Sequence, residues 1–180
     1  MDSGQKINQH GVAVNIFGLG ILITGKSGIG KSELALELVD SGHKFVVDDF
    51  VVVEKDSLGT LWLSALDFAE PFMHIRGMGF VNISKMYNSC SSIMSSSKLD
   101  IIIELTEDVE LLNKQCIQPS KVQQNILGIA LDKYILPVGK NRNLCLLVET
   151  LVKSHIDLKN GYDSTQDFLN NHANLLMASK

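Results

Sequence analysis

The stretch Gly25-Lys26-Ser27-Gly28-Ile29-Gly30-Lys31-Ser32 constrains this chain more than any other. It matches G-x-x-x-x-G-K-[ST], the P-loop pattern, at every required position. Glycines let the backbone curl so that its N–H groups point inward at phosphate oxygens. A helix beginning at Lys31 adds the positive end of its dipole. Lys31 then reaches the β- and γ-phosphates, and the Ser32 hydroxyl ligates magnesium. The context fits: Ile21-Leu22-Ile23-Thr24 is a short buried strand, and Ser32 to Val39 reads as a helix ending near Gly42. ATP with magnesium is therefore the expected ligand.

Asp48 and Asp49 end the next predicted strand, Phe45 to Asp49. One carboxylate is suited to hold the metal and the other to accept a proton from an incoming hydroxyl. His74-Ile75-Arg76-Gly77-Met78-Gly79 follows, where Arg76 is placed to neutralise a transferring phosphoryl group. The chain holds only two arginines, Arg76 and Arg142.

The remaining pattern is that of an α/β domain. Val12 to Phe17, Val51 to Glu54, Thr60 to Leu63, Leu99 to Leu105 and Tyr134 to Val138 read as strands, with a hairpin turn over Lys55 to Gly59. The serine-rich segment 88–97 reads as a loop, and residues 106–125 are weakly patterned. Leu144, Leu147, Val148, Leu151 and Val152 recur at helical spacing, and Gly161 ends that helix. Ser164 is the expected N-cap of a last helix through Leu176, with Asp167 as its capping-box partner.

Bulk properties narrow the partners. With 16 basic against 20 acidic residues, the net charge of −4 argues against nucleic acid. Cys90, Cys116 and Cys145 form neither a zinc pattern nor a paired framework, so a reducing compartment, the cytoplasm, is expected. No apolar run has the length of a membrane-spanning helix.

These pieces, in this order, resemble the catalytic domain of the bacterial HPr kinase/phosphorylase family. The resemblance is carried by His10-Gly11-Val12, the P-loop and its helix, Gly42-His43, and Val47-Asp48-Asp49. It continues through Ile75 to Gly79, Val81-Asn82, Pro137-Val138, Arg142-Asn143-Leu144, Gly161-Tyr162 and Asp167-Phe168. It implies a P-loop kinase domain of the HPr kinase/phosphoenolpyruvate carboxykinase type, a mixed β-sheet with C-terminal helices. The chain is expected to be a single catalytic domain: polar residues 1–9 flexible, 10–142 the nucleotide-binding core, 143–176 the C-terminal helices.

By the same resemblance, the activity is transfer of phosphate from ATP to a serine of HPr, the phosphocarrier of the sugar phosphotransferase system. Reversal by phosphorolysis and a hexameric homo-oligomer also belong to the family pattern. His10 corresponds to an active-site histidine, Lys31 to the phosphate-loop lysine, Ser32 to a magnesium ligand, and Asp49 to the base. Asp48 is the second oxygen donor for the metal.

The chain departs from the family in four respects. It starts almost at the catalytic domain, without the separate N-terminal domain of long members. His74 stands where the family has a magnesium-binding glutamate, and neutral imidazole suits a hard cation less well than carboxylate. The family's catalytic arginine after the Leu99 strand is missing, which leaves Lys114 or Lys121 as point-charge substitutes. Gly139-Lys140-Asn141-Arg142 stands where the family loop, linked to dephosphorylation, has an arginine before Pro-Gly-Arg. Two other readings stay open: a nucleotide-sensing module without turnover, and a small-molecule kinase.

Overall fold

Alternation of side chains along each central strand builds two cores, one on each face of the sheet. The computed structural model describes residues 5–66, 70–87, 92–113 and 117–178. Strand β1 (Lys6–Ile16) turns through Phe17 and Gly18, both at positive φ, into the antiparallel β2 (Leu19–Gly25). Two such central residues make the turn whose twist matches a right-twisted hairpin. The P-loop leads from β2 into helix α1 (Lys31–Asp40), and β3 (Lys44–Lys55) returns antiparallel to β1. Strand β4 (Leu61–Ser64) completes a hairpin with β3, whose turn is held by Asp56 accepting from the N–H groups of Leu58 and Thr60.

A separate two-stranded hairpin, β5 (Phe72–Ile75) and β6 (Gly79–Asn82), precedes the short α2 (Ile83–Met86). Strand β7 (Ser96–Thr106) pairs antiparallel with β4 through its first residues and parallel with β2 through the rest. The pairings β2–β1–β3–β4–β7–β2 thus close a circuit. After α3 (Val109–Asn113), the hairpin β8 (Ser120–Ile126) and β9 (Ile129–Pro137) extends the sheet, with β9 parallel to β7. Helices α4 (Leu144–Lys159) and α5 (Ser164–Ala178) end the described chain. Among the described residues, no helix is long and apolar enough to cross a membrane.

Val12, Val14, Ile21, Ile23, Ile101 and Ile103 point to the helical side, where they pack with Leu34 and Leu38 of α1 and Val148 and Val152 of α4. The residues between them, Ala13, Leu22 and Ile102, join Val53, Leu61, Leu63 and Leu99 on the other side. Both faces are covered, which is why these strands read as unbroken apolar runs.

Several expectations are corrected. Lys6 to Gln9, expected to be flexible, pair with Glu54 to Val51, because β3 is long enough to extend the ladder. Asp48 and Asp49 lie in the middle of β3 rather than at a strand end. Residues 106–125 hold α3 and most of β8, whose polar, edge-exposed residues hide the period. Asp163, not Ser164, caps α5 by accepting from the N–H groups of Thr165 and Gln166, while Asp167 takes the Tyr162 hydroxyl. Of the serine segment, Ser96 and Ser97 begin β7, and residues 88–91 lie outside the described residues, as do Cys90, Lys114 and Cys116.

His155 of α4 is only 5% exposed, and its Nδ1 lies 2.9 Å from the Tyr134 hydroxyl. Burial pushes the imidazole below its ordinary value, and Lys159 adds to this while Asp132 opposes it. A histidine depressed in the fold contributes stability above its unfolded pKa of about 6.5, lost as pH falls toward the folded value. The unfolding temperature should therefore drop on acidification through that window, and His155→Gln should flatten the drop. A series of thermal melts against pH checks it.

Candidate active site

The site is assembled from four segments: β1, the loop from β2 into α1, β3 and the β5–β6 hairpin. Strand β2 delivers Gly25, where φ is 135° and an added Cβ would come 2.6 Å from the Leu105 carbonyl oxygen. Gly30 at φ 102° forms the N-cap of α1, with no side-chain hydrogen bond closing the helix end. The first-turn N–H groups are thus free of a capping side chain, as an anion-binding helix terminus requires.

Lys31 is 7% exposed, and its Nζ donates to the carbonyls of Gly25 (3.1 Å) and Lys26 (3.0 Å). Burial lowers its pKa, while the charges of Asp48, Asp49 and Glu33 work in the opposite direction. The Ser32 hydroxyl, one residue further, donates to Asp48 Oδ1 at 3.0 Å, tying α1 to β3. The second oxygen of Asp48 accepts the backbone N–H of His74 at 3.2 Å, which brings in β5. Burial pushes the Asp48 carboxyl above the usual range, and the hydrogen bonds from Ser32 and His74 work against that rise.

Asp49 has φ 72°, a left-handed residue inside a strand. Aspartate tolerates this region better than most residues. The kink leaves its side chain exposed, with Oδ1 2.9 Å from His10 Nδ1; the Asp49 carbonyl lies 3.2 Å from the same nitrogen. Register explains the meeting: Gly11 faces Asp49 across β1 and β3. Both residues are legible in the sequence but their pairing is not, because the contact depends on that register.

Arg76 starts the turn of the β5–β6 hairpin, and its guanidinium lies against Gly28, where an added Cβ would overlap it. Glycine at Gly28, at φ 77°, thus admits both the loop's curl and the arginine.

One cavity of about 590 Å³ brings together His10, Ser27, Gly28, Gly30, Lys31, Ser32, Asp48, Asp49, His74 and Arg76. Gly25, Lys26 and Ile29 belong to the loop without lining it. His74 meets Asp48 through its backbone only, while its ring packs 5.0 Å from Phe80. Lys121 is 3.6 Å from Asp132 on the β8–β9 edge and does not line the cavity. Arg142 donates to the Pro137 carbonyl at 2.8 Å and faces a separate groove between α1 and α4. Glu33, Phe50, Phe72 and Phe80 also line the cavity and were not singled out from sequence. For the phenylalanines the available signal was an aromatic at an outward strand position, on the short β5 and β6 and on the longer β3.

Residues 3–172 match the family model described as the HPr Serine kinase C-terminal domain. The chain belongs to this family.

An HPr kinase/phosphorylase of Nitrosomonas europaea is 35% identical over 168 residues, 92% of this chain and 52% of the relative. That of Neisseria meningitidis is 38% identical over 166 residues, 91% of this chain and 52% of the relative. The chain spans about half the length of the curated relatives it matches. Among solved structures, the Hpr(Ser) kinase/phosphatase from Coxiella burnetii superposes with a TM-score of 0.79 at 33% identity, covering 90% of this chain and 98% of that one. The expected fold, a P-loop kinase domain of the HPr kinase type with a mixed sheet and C-terminal helices, is the one observed.

Proposed function

We propose that this chain is a catalytic domain that transfers the γ-phosphoryl group of ATP to a serine of HPr in the cytoplasm. The observation that carries the reading is Asp49: its carboxylate, held by His10, opens into the same cavity as Lys31, Ser32 and Arg76. A serine hydroxyl is a weak nucleophile at neutral pH, so a carboxylate that takes its proton as the new bond forms accelerates transfer. The His10 ring orients that carboxylate. Lys31 and Arg76 offset the charge of the phosphoryl group, and charge-assisted bonds to phosphate outcompete the carbonyls that Lys31 now contacts.

The residues also fit magnesium. Ser32 Oγ and Asp48 Oδ1 are hard oxygen donors 3.0 Å apart beside the phosphate loop. Among the described residues, no three or more acidic, histidine or cysteine side chains are grouped so as to hold a metal ion by themselves. Magnesium typically needs no such cage, since one or two protein oxygens, water and substrate phosphates complete its octahedron. When bound, it neutralises phosphate charge during transfer. Asp48→Asn is expected to raise the magnesium concentration for half-maximal rate by about 10–100-fold. A magnesium titration at saturating ATP measures this, and an unchanged requirement removes Asp48 from the metal.

Incubation with ATP, magnesium and HPr should give a product phosphorylated on one serine, and Lys31→Ala should abolish it. ATP affinity without any product would instead favour a nucleotide-sensing module. That second reading rests on Arg76 being the sole arginine lining the cavity among the described residues.

The reverse reaction is supported by the names of the curated relatives, HPr kinase/phosphorylase. In it, phosphate attacks phosphoserine and Asp49 returns a proton to the departing serine oxygen. Pyrophosphate release from serine-phosphorylated HPr and inorganic phosphate tests it. A hexameric assembly is carried over from the family resemblance and is checked by light scattering.

A further inference from the structure

We infer that Phe50, Phe72 and Phe80 form an aromatic rim that docks the protein substrate through an apolar patch beside its acceptor serine. The inference rests on the reading of Asp49 as the base toward a serine of HPr.

Phe50, Phe72 and Phe80 are 58%, 47% and 76% exposed, and all three line the cavity that holds Lys31 and Asp49. Their exposure has a structural origin. Along β5, Met73 and Ile75 are buried while Phe72 and His74 are exposed, and Phe80 sits opposite His74 on β6. A hairpin with one solvated face normally carries polar side chains there. Here that face carries phenylalanine beside His74, and Phe50 of β3 adds a third ring to the cavity lining. Clustered exposed aromatics of this kind mark contact surfaces.

Their position selects the occupant. Phe50 directly follows Asp49, and Phe72 and Phe80 flank His74, whose N–H binds Asp48. The rings therefore neighbour the residues that carry or bind the two carboxylates and line the same cavity, where the acceptor must approach. A serine hydroxyl within hydrogen-bond reach of Asp49 brings its neighbours, one Cα step of about 3.8 Å away, into the cavity that Phe50 lines. An aromatic anchor offers large contact area for little side-chain entropy. A charged flank beside the serine would instead be desolvated there without a partner. The same rings could stack a nucleotide base, and the two occupants give opposite results in one experiment.

Phe50→Ala, Phe80→Ala and the double variant are compared with the parent chain for KM toward HPr, KM toward ATP, and kcat. Each single variant should raise the KM for HPr about tenfold, the range for truncating an interface aromatic, with kcat and ATP unaffected. Phe80→Leu, which keeps an apolar side chain, should restore most of the affinity. Unchanged KM for HPr in the double variant overturns the rim while leaving the kinase reading intact. A loss confined to ATP affinity also overturns it and makes the rings a base-stacking surface. If the parent chain neither binds nor phosphorylates HPr, both readings fall together.

Discussion

On the proposed function, replacing Asp49 with asparagine should leave ATP binding intact and lower phosphoryl transfer to HPr by about 10²–10⁴-fold, the contribution of a positioned proton acceptor. The variant is a clean one for this site. Asp49 occupies φ 72° inside β3, and asparagine shares aspartate's tolerance of that region. Alanine would add backbone strain and confuse lost chemistry with altered structure. The asparagine amide has the size of the carboxylate and keeps an oxygen toward His10 Nδ1, now 2.9 Å from Asp49 Oδ1. What it lacks is basicity.

Single-turnover transfer with HPr measures the chemical step, and nucleotide titration measures binding. Normal transfer in this variant would falsify the role of Asp49 as base. Reduced ATP affinity with unreduced turnover would assign the residue to nucleotide binding instead.

The largest expected effect on stability comes from a residue with no chemistry. Gly20→Ala should destabilise the domain by about 3 kcal/mol, the upper end of the cost of overpacking. For a chain of this size that lowers the unfolding temperature by roughly 6–12 °C. An added Cβ at Gly20 would overlap the carbonyl oxygen of Lys98 and lie 2.6 Å from Ser97 Oγ. The obstructing carbonyl is backbone, so no side-chain rotation relieves the clash.

Strands β2 and β7 meet at this point, with Gly20 opposite Leu99 and the register shifting immediately afterwards. Gly20 also donates its N–H to Asp100 Oδ2 at 3.0 Å, which a displaced strand would lose. Because β2 carries the P-loop, the variant should bind ATP normally only well below its lowered melting temperature. Gly18→Ala is the contrast: no atom lies within 4 Å of its added Cβ, although its φ of 89° still imposes backbone strain.

Legibility in the sequence followed the range of the interactions involved. The P-loop and α1 are local, since the glycines, Lys31 and Ser32 lie within one loop and one helical turn. Gly42 and Gly161 were likewise readable as helix stops; both have positive φ, and His43 and Tyr162 close the ends by donating to Leu38 and Asp157. The Lys55 to Gly59 turn was legible because Asp56 holds it from within. By contrast, β8 was hidden, because an edge strand with one polar, exposed face carries little apolar signal.

By itself, then, the sequence determined that a glycine-rich loop of the P-loop pattern joins a buried strand to a helix, and that two carboxylates follow on the next strand. Backbone geometry at glycine and the 3.6- and two-residue periods act over a few positions, so one segment of chain suffices to specify them. Only the tertiary structure decided that His10 holds Asp49, that Ser32 binds Asp48, and that Arg76 lies against Gly28. Those contacts join residues 39, 16 and 48 positions apart in the chain. They exist because strand register and the docking of the β5–β6 hairpin bring distant segments to one cavity, and register is set by the burial of whole strands.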